Sequence, residues 1–243
     1  MRIIETRVYR GPNYWNYDPA IKLIVDLGVL EAFPSNTITG FVDGLLDLLP
    51  GVGLHSCSTG QAGGFKKRLR EGTWLGHVAE HIALQLQRDA GTEVGRGKTR
   101  GTGEPGRYHV VYSFAEESVG LAAGRLAVRI VNHLVEPDPA FDYVVEFEAL
   151  VLLAERAAFG PSTQALLDEA SLRDIPFIRL NEQSLVQLGH GLHQKRIRAT
   201  MTSQTSSLGV DIASDKKLTN KLLAGTGVPV PRSEVVRSED EAA

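Results

Sequence analysis

One cysteine stands in a chain of 243 residues. Cys57 therefore has no partner for a disulfide within the chain, which fits a reducing compartment and predicts a cytoplasmic protein. No apolar run approaches the roughly 18 residues of a spanning helix, so a membrane span is not expected. The opening MRIIETRVYRGPNYW alternates charged and apolar residues and lacks the apolar middle of a signal peptide. Charge of one sign is also missing. Against 26 Lys and Arg stand 29 Asp and Glu, a net of −3, which removes any global electrostatic case for nucleic acid. There is neither an internal repeat nor a low-complexity tract. What is present is ordinary for a globular protein, 42% hydrophobic and 23% charged residues, in a length that suits one large domain or two smaller ones.

The alternation over Arg2–Arg10 predicts a half-buried strand ending at Gly11-Pro12. A helix is predicted over Thr37–Leu49, stopped by Pro50-Gly51, then a glycine-rich turn over Gly60–Gly64 and a short basic helix over Phe65–Arg70. Thr73 is the expected cap of a helix running to about Asp89. Two strands, Thr92–Arg100 and Arg107–Phe114, flank a Gly/Pro loop at Gly101–Gly106. Helices follow over Glu116–Val135 and Phe141–Ala158. Strands and helices do not alternate regularly, so residues 1–159 are expected to form an α+β domain. Phe159-Gly160-Pro161-Ser162-Thr163 reads as a boundary, with 160–243 as a second domain. There, a helix over Gln164–Ser171, strands at Phe177–Leu180 and Ser184–Leu188, and a helix capped by Asp215 and closed by Gly225 and Gly227 suggest an incomplete α/β layer. Val228-Pro229-Val230-Pro231 leads into an extended segment, and Ser238–Ala243 is small and acidic.

Inside the Thr73–Asp89 helix lies H-x-x-E-H: His77, Glu80 and His81. Residues three and four apart share a helix face, so two imidazoles and a carboxylate point one way, opposite the stripe of Leu75, Val78, Ala79, Ile82 and Leu86. Two histidines can hold zinc, and a glutamate beside them can take a proton from an activated water, the inverted zinc-hydrolase signature. Leu84 in the middle of that face points to a cleft. A third protein ligand is needed; Glu146 and Glu148 are candidates, and Glu148 is the one chosen. Cys57 sits in no motif and is assigned no chemistry.

Arg96, Lys98 and Arg100 alternate along one predicted strand and so face one side, a basic stripe suited to an acidic polymer. Without interleaved aromatics, it does not suit single-stranded nucleic acid. Lys66, Lys67, Arg68 and Arg70 form a second basic cluster. His190, His193, Lys195, Arg196 and Arg198 crowd into nine residues, and Arg can clamp a carboxylate bidentately. Tyr14, Trp15 and Tyr17 read either as a binding rim or as packing at a turn.

Several longer stretches carry a resemblance: RGPNYW (Arg10–Trp15), the run from Gly63 to Gln87 around the H-x-x-E-H, GRGKTRGT (Gly95–Thr102), QLGHGLHQKRIRATMT (Gln187–Thr202) and SSLGVDIASDKKLTNKLLAGTGVPVP (Ser206–Pro231). Together they resemble the N-terminal part of cyanophycin synthetases, and the last resembles the opening of an ATP-grasp domain. The resemblance implies a fragment of a longer, ATP- and Mg2+-dependent ligase. Such a ligase extends a polyaspartate backbone and attaches arginine to it through acyl phosphates, and it tends to assemble as a homo-oligomer. It implies that Lys216, after Asp215, reaches nucleotide phosphates, and that Lys195 and Arg196 hold the growing chain end. The carboxylates for magnesium are absent from these residues, so the fragment is expected to bind polymer rather than to ligate. Two alternatives stand beside this reading: a zinc-dependent hydrolase of a peptide-like polymer with Glu80 as general base, and a polymer-binding module without turnover.

Overall fold

The structure, a computed structural model, describes residues 1–57, 60–232 and 236, so the acidic Ser238–Ala243 stretch lies outside the described residues. The chain divides into two compact units, Met1–Phe159 and Gly160–Ala243. Each carries one antiparallel four-stranded sheet, and the described residues form eight α-helices, a mixed α+β architecture.

In the first unit the order is β1 (Arg2–Tyr9), β2 (Ala20–Asp26), α1 (Phe41–Leu48), α2 (Gly64–Glu71), α3 (Leu75–Asp89), β3 (Gly97–Gly101), β4 (Arg107–Ser113), α4 (Glu117–Val135) and α5 (Tyr143–Ala157). The sheet runs β1-β2-β4-β3. Its inner strand β2 is the element that alternation does not reveal. AIKLIVD is almost continuously apolar because both faces of the strand are covered, and even Lys22 is only 7% exposed. Ile21, Leu23 and Val25 of β2, with Val110 and Tyr112 of β4, form one face of the core. Against them lie Val78, Ile82 and Leu86 of α3 and Ala123, Ala127 and Ile130 of α4. Burying each of the larger aliphatic side chains contributes about 1.5–3 kcal/mol.

Three predicted boundaries move for identifiable reasons. The helix expected from Thr37 starts at Phe41, because Ser35–Thr37 forms a separate 3-10 turn and Gly40 takes a left-handed φ of 75°. The strand expected from Thr92 starts at Gly97; the Thr92 amide and hydroxyl both donate to the Gln87 carbonyl, tying that segment to the end of α3. Thr73 does not cap α3. The N-cap position is Trp74, without a side-chain hydrogen bond, and the Thr73 hydroxyl goes to a histidine instead.

The second unit contains α6 (Pro161–Leu172), β5 (Phe177–Arg179), β6 (Leu185–Leu188), β7 (Lys195–Arg198), β8 (Met201–Thr202), α7 (Ser207–Ser214) and α8 (Lys216–Gly225). Its sheet is a meander in the order β5-β6-β7-β8 with antiparallel pairing throughout. Connections of a few residues allow only this; parallel neighbours, as in an α/β layer, need a long crossover. Asp215 caps α8 as its position predicts, its carboxylate accepting from the Leu218 amide at 3.0 Å. No helix among the described residues is long and apolar enough to cross a membrane.

Candidate metal centre

The face of α3 that carries His77, Glu80 and His81 is turned inward: Glu80 is 4% and His81 6% exposed. One helical turn apart, the two imidazoles bring their Nε2 atoms to 3.2 Å. A third donor comes from the loop before α2, where Cys57 Sγ lies 3.6 Å from His77 Nε2. The three donor atoms fall within 4.8 Å of one another. A tetrahedral zinc with N and S ligands has ligand-to-ligand edges of roughly 3.3–3.7 Å. The donor set therefore fits a zinc-like ion in chemistry, and the two edges that meet at His77, 3.2 and 3.6 Å, are close to that spacing. Cys57 reaches this place with φ at 49°, a region a non-glycine residue seldom occupies. The expected third ligand, Glu148, is exposed on α5 and takes no part in the cluster, while Glu146 is paired with Arg129. The helix phase that exposes Glu148 buries Leu150 and Ala154 instead.

The far nitrogens of both imidazoles are held. His77 Nδ1 meets Thr73 Oγ1 at 2.9 Å. His81 Nδ1 lies 2.7 Å from Nδ1 of His55, whose Nε2 lies 2.7 Å from Gln85 Oε1. Hydrogen-bond chemistry orders this chain. Asp89 only accepts, so the Gln85 amide nitrogen donates to it, at 2.7 Å, and the Gln85 oxygen must face His55. His55 then carries its proton on Nε2 and accepts at Nδ1, and His81 must donate from Nδ1. The Nε2 of His81 is left as a lone pair toward Cys57 and His77, the form a metal ligand needs. Arg88 Nη1, which can only donate, approaches the same His55 nitrogen at 3.2 Å and favours the opposite tautomer, but the Gln85 contact, at 2.7 Å, is the shorter and sets the order given. Phe65 stacks on His81 with ring centres 3.7 Å apart.

Burial dominates the electrostatics. It pushes the His77 imidazole down to about 4, helped by Arg68, and His81 down to about 2, helped by His77, His55 and Arg88. Both are therefore neutral near pH 7, and the 4.0 Å approach of His81 Nε2 to Glu80 is not an ion pair there. Burial raises the Glu80 carboxyl to about 7, against the opposing hydrogen bond that Thr99 Oγ1 donates to it at 2.6 Å. A side chain at Gly97 would collide with that carboxylate, so the glycine keeps its place open.

These groups line a cleft of about 930 Å³. Arg96, Lys98 and Arg100 are on its wall, and Leu84, from the same face of α3, lines it too. Lys98 and Arg100 share one face of β3, and Arg96 just before it pairs with Asp18 at 3.6 Å. Of the α2 cluster only Arg68 lines the cleft, and of the early aromatics Trp15, which packs on His109 while Tyr14 and Tyr17 are exposed. Lys195, Arg196 and Lys216 belong to the second unit. Lys195 and Arg196 are neighbours on β7, so their side chains leave opposite faces of that sheet. Lys216 is exposed in the first turn of α8. Sequence reasoning missed His55, Cys57 and Thr99, which no spacing links to the H-x-x-E-H.

Residues 22–136 match the family described as the cyanophycin synthase-like N-terminal domain. Over 99% of its length the chain is 44% identical to the cyanophycin synthetase of Trichormus variabilis and to that of a Synechocystis species, covering 27% and 28% of those proteins. The cyanophycin synthetase of Geminocystis herdmanii is 42% identical over the whole chain, again covering 28% of the relative. The chain thus spans little more than a quarter of the length of these relatives. Residues 22–136, which hold the Cys57, His77, Glu80 and His81 cluster, are thus similar to the cyanophycin synthase-like N-terminal domain, and the chain along nearly its whole length is similar to little more than a quarter of the cyanophycin synthetases it matches.

Proposed function

We propose that the chain is the front portion of an ATP-dependent ligase that builds an aspartate backbone and attaches arginine to it, and that its first unit grips and hydrolyses this peptide-like polymer. The observation that carries the hydrolytic reading is the buried Glu80, set one helical turn beside two neutral imidazoles whose Nε2 atoms converge with Cys57 Sγ in an open cleft. A divalent ion of the zinc type, held by Cys57, His77 and His81, would polarise the scissile carbonyl and make a water more acidic. Glu80 takes the proton of the attacking water and returns it to the leaving amine, a double duty that a carboxyl titrating at about 7 can perform near neutral pH. Thr99 orients it through Oε2. Arg96, Lys98 and Arg100 moor the polymer's carboxylates. Cuts in the polymer create fresh ends for the ligase to extend.

The ligase half of the proposal is supported by the similarity to cyanophycin synthetases over the whole chain. On it, residues 160–243 are the opening of an ATP-grasp domain, Lys216 reaches the nucleotide phosphates beside Mg2+, Lys195 and Arg196 lie near the chain end, and the assembled enzyme is a cytoplasmic homo-oligomer.

The hydrolytic reading is tested with zinc-loaded protein and aspartate-arginine polymer. Cleavage should climb as pH rises through about 7, because only the ionised Glu80 can accept a proton. Glu80→Gln should abolish cleavage with the zinc content unchanged. Cleavage that survives in this variant would reject Glu80 as the base, and wild-type protein that binds the polymer without cutting it would leave the mooring role alone.

A further inference from the structure

β3 is an edge of its sheet: β4 lies on one side and no strand among the described residues lies on the other. Two hydrogen bonds fix which way its main chain faces. Ser113 N donates to the Arg96 carbonyl at 2.8 Å, and Thr102 N donates to the Arg107 carbonyl at 3.1 Å. In an antiparallel ladder, residues alternate between turning their N–H and C=O to the partner and turning them away. Positions 96 and 102 are both even, so Lys98 and Arg100 bond to β4. Gly97, Thr99 and Gly101 present their N–H and C=O groups at the open edge.

All three outward-facing residues line the cleft that holds Glu80, His77 and His81. Two of them are glycines, which weaken a strand and mark places where another backbone approaches closely. The third, Thr99, bonds Glu80 through its side chain while its main chain stays available. On the other face, Lys98 and Arg100 stand two residues apart, about 6.6–6.8 Å along a strand, the repeat of same-side groups in any extended chain. An unprotected edge pairs indiscriminately unless charge restricts it. Here both restricting charges are positive, so they repel a basic strand and admit an acidic one.

We propose that the open edge of β3 receives an extended peptide backbone as an added strand, hydrogen-bonded to Gly97, Thr99 and Gly101, with carboxylates of its same-side groups against Lys98 and Arg100. The docking rests on the hydrolytic reading above only for its purpose: it lays the backbone of the chain to be cut alongside Glu80.

Amide hydrogen exchange on the full chain, depleted of metal so that nothing is cut, tests this with a synthetic aspartate oligomer as the probe. Without the oligomer, the amides of Lys98 and Arg100 exchange slowly and those of Gly97, Thr99 and Gly101 quickly. With it, the latter three should slow by at least about tenfold, the protection a paired edge amide gains. A Cβ at Gly101 meets nothing within 4 Å, so Gly101→Ala should bind the oligomer as wild type does. Gly101→Pro, which removes one outward N–H, should weaken binding about fivefold, the worth of one backbone hydrogen bond. No slowing at the three odd-numbered amides, whether or not the oligomer binds elsewhere, overturns the proposal. Polymer cleavage by zinc-loaded protein is measured in parallel. Cleavage without edge protection removes the docking and keeps the hydrolysis; protection without cleavage does the reverse.

Discussion

At the scale of single residues, the centre depends on which nitrogen of each histidine carries the proton. Asp89 fixes the Gln85 amide, the amide fixes the proton of His55, and His55 obliges His81 to keep its own proton on Nδ1. The backbone at Gly51 closes on the Gln85 amide, where any side chain would collide, so the Gln85 end of the chain is pinned from outside as well. A His81 freed from this arrangement would divide its population between two tautomers, one of which has no lone pair to offer a metal. His55→Ala should therefore lower zinc affinity by roughly 10–100-fold, the usual cost of losing the group that orients a ligating histidine, as measured by competition with a chelator of known affinity. Affinity unchanged in this variant would show that His81 is oriented by its packing on Phe65 instead. The H-x-x-E-H was legible in the sequence because all of its geometry lies within one helical turn. His55 and Cys57 were not, because they come from a loop whose place is set by the packing of α1 and α2, and periodicity does not report on that. Glu146 and Glu148 were only acidic residues of a later helical stretch, with nothing in the sequence to select either, and α5 leaves Glu148 exposed.

At the scale of elements, the seating of α4 on the sheet decides how closely α3 and its histidines are held. Tyr112 of β4 is fully buried and donates to the Gly120 carbonyl of α4 at 3.0 Å. A Cβ at Gly124 would collide with the same hydroxyl. Two effects oppose each other in Gly124→Ala. Alanine gains up to about 1 kcal/mol over glycine inside a helix. Forcing a methyl into a packed contact costs about 1–3 kcal/mol, and displacing Tyr112 strands its hydroxyl as well. The collision should win by about 1–2 kcal/mol in a denaturant melt, and adding Tyr112→Phe, which removes the obstructing oxygen, should recover most of the loss. A Gly124→Ala protein as stable as wild type would mean that α4 shifts freely on the sheet. The long amphipathic helices were legible to within a residue or two, since α3 and α4 carry clean apolar stripes. β2 was not, because a strand covered on both faces shows no alternation. β7 was not, because Lys195, Arg196 and Arg198 disguise a strand whose one buried side chain is Ile197.

At the scale of the whole molecule, the burial is uneven. The buried core cluster runs from Ile21 to Ala154 and lies entirely within the first unit. Among the described residues of the second unit, the buried apolar side chains are Leu167, Ala170, Val186 and Ile197. A domain is stable on its own when it owns a core, and 159 residues around one sheet and five helices fall within the usual size of such a domain. The metal donors, Glu80, the His55 chain and the open edge of β3 all sit inside that same unit. Residues 1–159 prepared alone should therefore unfold in one cooperative thermal transition and keep the zinc affinity of the full chain. Residues 160–243 prepared alone, with so few apolar groups removed from water, should melt without a sharp transition. Calorimetry and chelator competition on the two pieces check both statements. A first piece that is cooperative but has lost its zinc would mean that the second unit bears on the loop of Cys57. A first piece that fails to fold would mean that its core, though complete in composition, is stabilised by residues beyond Phe159.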